Sequence, residues 1–226
     1  MGWIRLYMTV EGSTEREFAE TVLKPHLAQF SVGLFPRILV TNRKQNKRGG
    51  LLNFATFRND LTRLMSQNTQ ADVRFTTMID LYALPKDFPG WAEADHKNIP
   101  TDRVTTLEAA LQAEFNNYRF IPYIQLHEFE ALLYCDLSQL AARIEGAAKP
   151  LAELAQEVAD LAPEEINEGE RTAPSKRIIN YLPLYDRVKV RVGAPAAAAI
   201  GLATLRQLCP HFNDWISKLE RLSQSP

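Results

Sequence analysis

Cysteine is scarce in this chain. Its 226 residues include two cysteines, Cys135 and Cys209, and no pair at Cys-x-x-Cys spacing. A disulfide framework or a structural zinc site needs several cysteines at short, regular spacings. The composition therefore argues against both.

An excess of charge of one sign is also lacking. The 26 basic residues (Lys and Arg) and 27 acidic residues (Asp and Glu) give a formal net charge of −1. Such a balance provides no global attraction for nucleic acid, so any binding of this kind has to come from local patches.

Long uncharged apolar runs are missing as well. No segment approaches the ~20 residues that a membrane span needs, and Arg5 lies inside the first apolar segment, unlike in a signal sequence. A hydrophobic content of 46% is sufficient for a proper core. We therefore expect a cytoplasmic, globular protein with no membrane partner, built as one domain or one domain plus a small subdomain.

The first half of the chain alternates between strand and helix patterns. An apolar strand is predicted over residues 3–10, and the helix after it begins at Thr14, which has capping-box spacing to Glu17. Further strands are predicted over residues 35–40, 73–79 and 120–126, and helices over residues 51–65 and 104–115. This alternation predicts an α/β fold in which helices flank a mostly parallel sheet.

The second half is predicted to be mainly helical. Ser175 is placed to cap the helix that follows it, and Pro195 suits the first turn of a later helix. The remaining helices are predicted over residues 132–144, 151–161, 196–208 and 212–222. We expect residues 1–135 to form the α/β core and residues 136–226 to form a helical part that packs on it and contributes basic residues.

Acidic residues follow three of the predicted strands. Glu11 follows the first strand, Asp80 the third, and Glu128 and Glu130 the fourth. Because ligands of open α/β sheets gather outside the carboxyl ends of the strands, these acids predict one shared site. Mg²⁺ and Mn²⁺ prefer such oxygen ligands and activate water for phosphoryl chemistry. The alternating positions of Glu128 and Glu130 favour at most one of them as a ligand.

Each of these residues also has a structural interpretation. Glu11 can satisfy amide donors at the start of the next helix, and Glu15 lies in a first helical turn, where acids are favoured. Asp80 can initiate a turn. His127 fits a hydrogen-bonded core or hinge position, which its sequence context favours over a catalytic role.

Two basic segments are candidates for phosphate binding. The first is the loop that contains Lys44, Lys47 and Arg48, since such side chains hold backbone phosphates without reading sequence. The second begins at Ser175, whose place at a helix N-terminus allows backbone amides to meet a phosphate, and includes Arg177. A solvated surface is the structural alternative for both.

Four segments together resemble the domain-of-unknown-function 4276 family: Val10–Glu15, Met78–Tyr82, Ile121–Leu133 and Thr172–Ile178. The resemblance covers nearly the whole chain, and its most specific motif is His-Glu-Phe-Glu-Ala-Leu-Leu within the third segment. That family is similar to Toprim-like proteins, including nucleases of the overcoming-lysogenization-defect type. The resemblance implies a Toprim-like core with metal-dependent phosphodiester chemistry.

The resemblance also implies roles for individual acids. Glu11 matches the Toprim glutamate after the first strand, and Asp80 matches the first aspartate of the Asp-x-Asp motif. The chain departs from the pattern at Tyr82, which stands where the second aspartate is expected and offers no carboxylate. The missing ligand would have to come from Glu128, Glu130 or Asp87.

A downstream lysine is the remaining part of the implied site. The related nucleases use such a lysine to stabilise charge on the scissile phosphate, and Lys176 is the best match. Lys189 and Arg191 are weaker alternatives on a segment that we predict to be a strand.

These observations lead to two hypotheses. The first is a nuclease that uses Mg²⁺ or Mn²⁺ to cleave nucleic acid, with DNA preferred over RNA as the substrate. The second is a catalytically degenerate Toprim-like subunit that binds an ATPase or nucleic acid, which Tyr82 favours. The resemblance further implies a bacterial anti-phage setting and a P-loop ATPase partner, and it leaves homo-oligomerisation open.

Overall fold

A computed structural model describes residues 2–42, 47–48, 51, 53–82, 84–166, 169 and 171–224, with the side chains of residues 41, 42, 47 and 48 left out. The predicted α/β class is confirmed: a parallel sheet lies between helices, and the C-terminal part is helical.

The strands of the main sheet are short and all parallel. Their order is β2-β1-β5-β6, with β7 also pairing with β5. A separate antiparallel pair joins β3 and β4. The strand bounds are β1 Ile4–Val10, β2 Val32–Ile38, β3 Val40–Asn42, β4 Lys47–Arg48, β5 Val73–Asp80, β6 Phe120–Ile121 and β7 Ile124–Gln125.

Helices make up most of the remaining described residues. A π-helical turn, Ala19–Leu23, joins α1 to α2, and 3-10 helices occupy Phe129–Cys135 and Pro163–Glu165. The α-helices are α1 Ser13–Phe18, α2 Lys24–Ala28, α3 Phe54–Gln67, α4 Trp91–Ala94, α5 Pro100–Phe115, α6 Leu137–Ala141, α7 Ala148–Glu157, α8 Pro174–Tyr181, α9 Tyr185–Ile200, α10 Leu202–Leu208 and α11 Pro210–Glu220.

Each face of the sheet has its own hydrophobic core. Alternate residues of β1 share one face because side chains along a strand point to opposite sides. On this face Leu6 and Met8 pack with α1 and with C-terminal residues such as Phe212. On the other face Phe75 packs with Phe57 and with α5. The predicted boundary between residues 1–135 and 136–226 stays a prediction.

The last predicted strand differs in detail from the structure. Instead of one strand over residues 120–126, β6 and β7 are separate because Pro122 interrupts the ladder. Thr77 bridges the break: its hydroxyl accepts the Tyr123 amide at 2.9 Å and donates to the Tyr123 carbonyl at 2.9 Å. Both short strands therefore stay in register with β5.

The predicted strand around Lys189 and Arg191 is wrong, because both residues lie in α9. The alternating valines and basic residues of this segment imitate a strand. The helix is stabilised instead by burial of Tyr185, Val192 and further residues at helical spacing. Pro195 lies inside α9 and not in a first turn, so that prediction is also wrong.

Two predicted helix caps are wrong as well. The first helix begins at Ser13 with Gly12 as its N-cap and with no side-chain cap among the described residues, so Thr14 is not capping. The helix α8 begins at Pro174 with Ala173 as its N-cap, and Ser175 lies inside its first turn. In both cases the chain enters the helix one or two residues earlier than the capping pattern indicates.

None of the helices in the described segments is long and apolar enough to cross a membrane alone. The helices α9 and α10 are long and apolar enough only when taken together, and a bend of 85° separates them.

The contact between α9 and α1 is close at Gly193 and provides a test of this packing. A Cβ at Gly193 would lie 3.0 Å from Thr14 Cγ2 and 3.7 Å from Phe129 Cε1. We expect Gly193→Leu to lower the free energy of unfolding by about 1–2 kcal/mol, because overpacking outweighs the gain in helix propensity. Urea unfolding measures this change. The control Ala198→Leu, on the exposed side of α9, is expected to stay within about 0.5 kcal/mol of wild type, and equal stability of both variants would contradict the close contact.

Candidate active site

A pocket of about 270 Å³ lies at the edge of the sheet where the parallel strands end. Because β1, β5 and β7 run in the same direction, the residues that follow them meet at this edge. Acidic residues dominate its wall, and Lys189 is the one basic residue among the described residues that line it. The lining comprises Glu11, Gly12, Ser13, Thr14, Glu15, Asp80, Glu128, Glu130, Ser175, Lys189 and Val190.

Glu11 connects the ends of two structural elements. One carboxylate oxygen accepts the Asp80 amide at 3.4 Å, and the other accepts the Leu51 amide at 3.4 Å. Burial raises the pKa of Glu11, and the nearby charge of Glu128 raises it further, while the two amides oppose the shift. Glu11 therefore is not a helix cap but a carboxylate held at the pocket by backbone amides.

Asp80 ends β5, and the burial of one of its carboxylate oxygens is not compensated by a hydrogen bond in the described structure. Its Oδ1 is buried and has no hydrogen-bond partner among the described residues. The pKa of Asp80 is raised well above its usual range, first by burial and then by the charges of Glu15, Glu11 and Glu130. Such a carboxylate is stabilised by a proton or by a cation.

Glu15 lies in the first turn of α1 and is also a buried acid. It is 8% exposed, and its Oε2 finds no hydrogen-bond partner in the described segments. Burial raises its pKa, and so does the charge of Glu11. Gly12 makes room for this side chain, because a Cβ there would lie 2.9 Å from Glu15 Oε2.

Glu128 lines the pocket but has partners of its own. Its carboxylate accepts the Ser175 backbone amide at 2.8 Å and the Ser175 hydroxyl at 3.0 Å. These bonds fix the start of α8 against the segment after β7. The predicted use of the Ser175 amide for a phosphate therefore competes with a carboxylate already bound there.

Glu130 is the second acid of this segment and also lines the pocket. The Tyr185 hydroxyl donates to one of its oxygens at 3.1 Å. Burial raises the pKa of Glu130 to about 7, with a further contribution from the charge of Glu128. Both acids of the His-Glu-Phe-Glu motif thus line one pocket. They differ in their state, because Glu128 is hydrogen-bonded to Ser175, whereas the pKa of Glu130 lies near neutral pH.

The basic candidates occupy different places. Lys189 lines the pocket, and its charge favours the ionised forms of Glu15 and Glu130. Lys176 is exposed and is not one of the described lining residues. Arg177 forms an ion pair with Glu157 and donates to the Thr172 carbonyl at 2.9 Å. The family resemblance favours Lys176 over Lys189, but of the two only Lys189 is among the described residues that line the pocket.

Tyr82 and His127 are not described lining residues of this pocket. The Tyr82 amide donates to the His127 carbonyl at 2.7 Å. His127 has a φ of 62°, and its Nε2 donates to the Glu164 carbonyl at 3.1 Å. Burial lowers the pKa of His127 to about 4, so the imidazole is neutral at pH 7. His127 is fully buried, and these contacts fit its interpretation as a hydrogen-bonded core or hinge residue.

The predicted basic loop cannot be placed in the site. Lys44 and the side chains of Lys47 and Arg48 lie outside the described residues. Their role in binding nucleic acid stays a prediction.

The pocket fits a divalent cation in its chemistry. Its donors are carboxylate oxygens, which Mg²⁺ and Mn²⁺ prefer, and Asp80 Oδ1 and Glu15 Oε2 are buried without hydrogen bonds among the described residues. In the described structure no three acidic, histidine or cysteine side chains are close enough to chelate an ion as they stand. Mg²⁺ commonly uses one or two carboxylates and completes its shell with water and phosphate, so a three-residue cage is not required.

Comparison with known families and proteins gives one sequence match. The model of a family described as "Domain of unknown function (DUF4276)" matches residues 10–220. No curated protein matches the chain.

Comparison with solved structures gives two structures of one protein region, the C-terminal region of the OLD protein of Xanthomonas campestris pv. campestris. The structure phased with platinum is 19% identical, the alignment covers 98% of each chain, and the TM-score is 0.43. The structure phased with iodine is 16% identical, the alignment covers 96% of this chain and 98% of that one, and the TM-score is 0.38. These scores are too low to transfer any residue role.

The raised pKa of Glu130 predicts how stability depends on pH. Because its pKa rises from 4.5 to about 7 on folding, the folded state binds more protons in this range and becomes less stable as pH rises through it. Glu130→Gln removes this contribution and keeps a hydrogen-bond acceptor for Tyr185. We expect the free energy of unfolding of the variant, relative to that of wild type, to rise by roughly 1–2 kcal/mol as the pH is raised from the lower to the higher of these values. This figure is smaller than the full effect of the pKa shift because Glu130 keeps some contact with solvent.

Urea unfolding of the two metal-free proteins at several pH values measures this difference. Glu153→Gln, which changes an exposed glutamate of α7, is the matched control and is expected to show no such trend. A difference between Glu130→Gln and wild type that does not vary with pH would contradict the assignment.

Proposed function

This chain belongs to the DUF4276 family, and on that premise we propose that it is a Toprim-like nuclease that uses a divalent metal ion to hydrolyse phosphodiester bonds. The observation that carries the proposal is the pocket at the carboxyl edge of the sheet, where five carboxylates and Lys189 meet. Acids at such an edge are what metal-dependent phosphoryl chemistry requires.

Glu11 and Asp80 are the proposed principal ligands of Mg²⁺ or Mn²⁺. They are linked through the amide of Asp80, and Asp80 carries a buried oxygen without a hydrogen bond in the described structure. A bound ion would polarise a phosphoryl oxygen and lower the pKa of a bound water. Neutralisation by the ion would also relieve the repulsion that raises the pKa of Asp80.

The missing second aspartate of the Asp-x-Asp motif does not leave the pocket short of acids. Tyr82 takes that position, but Glu15 and Glu130 line the same pocket from α1 and from the segment after β7. We propose that these two carboxylates complete the ligand set or accept a proton from the attacking water. The raised pKa of Glu130, about 7, suits proton transfer near neutral pH.

Lys189 is the proposed group that stabilises charge on the scissile phosphate. Both lysines are exposed, but Lys189 lines the pocket, whereas Lys176 on α8 is not among its described lining residues. A cation placed where negative charge develops stabilises the transition state more than the ground state, and this lowers the activation barrier. Lys176 keeps a proposed role at the entrance, where it can contact a flanking phosphate.

The exposed face of α9 is a proposed track for the nucleic-acid backbone. Arg187 and Arg191 are exposed one turn apart on α9 and flank Lys189 in sequence, and neither forms an ion pair among the described residues. Lysine and arginine side chains of this kind bind phosphates without sequence preference. We propose DNA as the first substrate to test.

The wider setting is also proposed. The family resemblance supports a P-loop ATPase partner and a role in bacterial anti-phage defence inside the cell. A second candidate function is a catalytically inactive subunit that binds the ATPase or nucleic acid. The tyrosine at position 82 and the absence of a ready three-residue chelate in the described structure favour this alternative.

Plasmid and single-strand cleavage assays with Mg²⁺ or Mn²⁺, each with and without a partner ATPase, test the proposal. We expect metal-dependent cleavage that falls at least ~100-fold in Glu11→Gln and in Asp80→Asn, because each removes a carboxylate that is proposed to hold the metal ion. Tyr82→Phe is expected to keep wild-type activity, because the Tyr82 contact in this structure is made by its backbone amide.

The two lysines provide a comparison within the same assay. Lys189→Ala is expected to lose at least ~100-fold in rate and Lys176→Ala less than ~10-fold. Equal residual cleavage in wild type, Glu11→Gln and Asp80→Asn would indicate a contaminant and contradict the nuclease. Nucleic-acid binding without any cleavage would support the inactive subunit.

A further inference from the structure

The two cysteines, far apart in sequence, meet in the fold. Cys135 Sγ and Cys209 Sγ lie 3.5 Å apart, although 74 positions separate them in the chain. Cys135 ends the 3-10 helix Phe129–Cys135, and Cys209 lies between α10 and α11. Both thiols are free.

The two sulfurs differ in access. Cys135 is half-buried and forms part of the wall of a largely apolar pocket of about 730 Å³ between α6 and α7. Cys209 is fully buried behind it. A small, uncharged reagent that enters the pocket therefore reaches Cys135 first and Cys209 only through it.

We propose that Cys135 and Cys209 are a site of oxidative modification, which a hydroperoxide converts to an intramolecular disulfide. In the first step Cys135 Sγ, as thiolate, attacks the peroxide oxygen. The O–O bond breaks, hydroxide leaves (as an alkoxide if the peroxide is organic), and Cys135 becomes a sulfenic acid. In the second step Cys209 Sγ attacks the Cys135 sulfur, and the sulfenic hydroxyl leaves with the Cys209 proton as water. The peroxide is reduced by two electrons, and the two thiols are oxidised to one disulfide.

The surroundings of the pair support this order of events. The hydrogen bond to Cys135 and burial both raise the pKa of Cys209, so its thiol stays protonated until Cys135 has reacted. The sulfurs must approach from 3.5 Å to the ~2.05 Å of a disulfide. Both cysteines lie at helix ends, and Cys209, between α10 and α11, has a non-helical backbone with φ −123° and ψ 85°.

The disulfide would connect a helix that reaches the acidic pocket to a helix junction of the hydrophobic core. The 3-10 helix of Cys135 also contains Glu130, which lines the acidic pocket, while Cys209 precedes α11 of the core. The bond would tie this helix to the junction of α10 and α11. The inference does not depend on the nuclease proposal, because it rests on the two thiols and their pocket alone.

Peptide mapping of the oxidised full chain tests the proposal. The reduced protein is treated with hydrogen peroxide, alkylated under denaturing conditions and digested without reductant. We expect a linked peptide that contains Cys135 and Cys209, simultaneous loss of both alkylatable thiols, and a higher Tm that dithiothreitol reverses. On a non-reducing denaturing gel the oxidised protein should run as a single chain, with no disulfide-linked dimer.

Two variants separate the steps. In Cys209→Ser the reaction should stop at the Cys135 sulfenic acid, which dimedone captures, whereas in Cys135→Ser the Cys209 thiol should stay alkylatable after denaturation. Peroxide that fully oxidises a free thiol peptide but leaves both wild-type thiols alkylatable would overturn the proposal. So would disulfides formed only between chains.

Discussion

The central constraint on this structure is the crowding of buried carboxylates in the pocket at the edge of the sheet. Carboxylates that are withdrawn from water and face each other favour protonation, and Asp80 shows this most strongly because four other acids raise its pKa. Backbone amides stabilise Glu11, and a serine stabilises Glu128, but Asp80 Oδ1 and Glu15 Oε2 have no such partner in the described structure. Such an arrangement costs stability in the free protein, and this cost supports the proposed cation site.

The parallel sheet makes this crowding possible. The strands β1 and β5 are adjacent and run in the same direction, so Glu11 and Asp80 emerge side by side. The C-terminal helices then close the pocket from one face: α8 through the bond between Ser175 and Glu128, and α9 through Lys189 and its close contact at Gly193. The acids come from strand ends, from α1 and from the segment after β7, whereas the basic residue Lys189 comes from the C-terminal helix α9.

The sequence indicates which acids line the pocket better than which lysine lines it, for a physical reason. Strand ends and their acids follow from local hydrophobic patterns, and parallel pairing then brings them together. The place of Lys189 depends on how α9 packs on α1, which is a long-range contact, and its valine-rich segment resembles a strand. Likewise Pro122 and Thr77 decide the break between β6 and β7 through a contact across strands. Capping motifs also failed at Thr14 and Ser175, where tertiary contacts outweighed local preference.

The measurement that tests the central claim most directly is calorimetric titration of the metal-free protein with Mn²⁺, at pH 7 in the absence of substrate. The account predicts saturable binding, loss of that binding in Asp80→Asn, and proton release that is smaller in Glu130→Gln, since binding ionises the buried acids. Wild-type protein that binds no Mn²⁺, or that binds it as tightly as Asp80→Asn does, would contradict a metal site at this pocket.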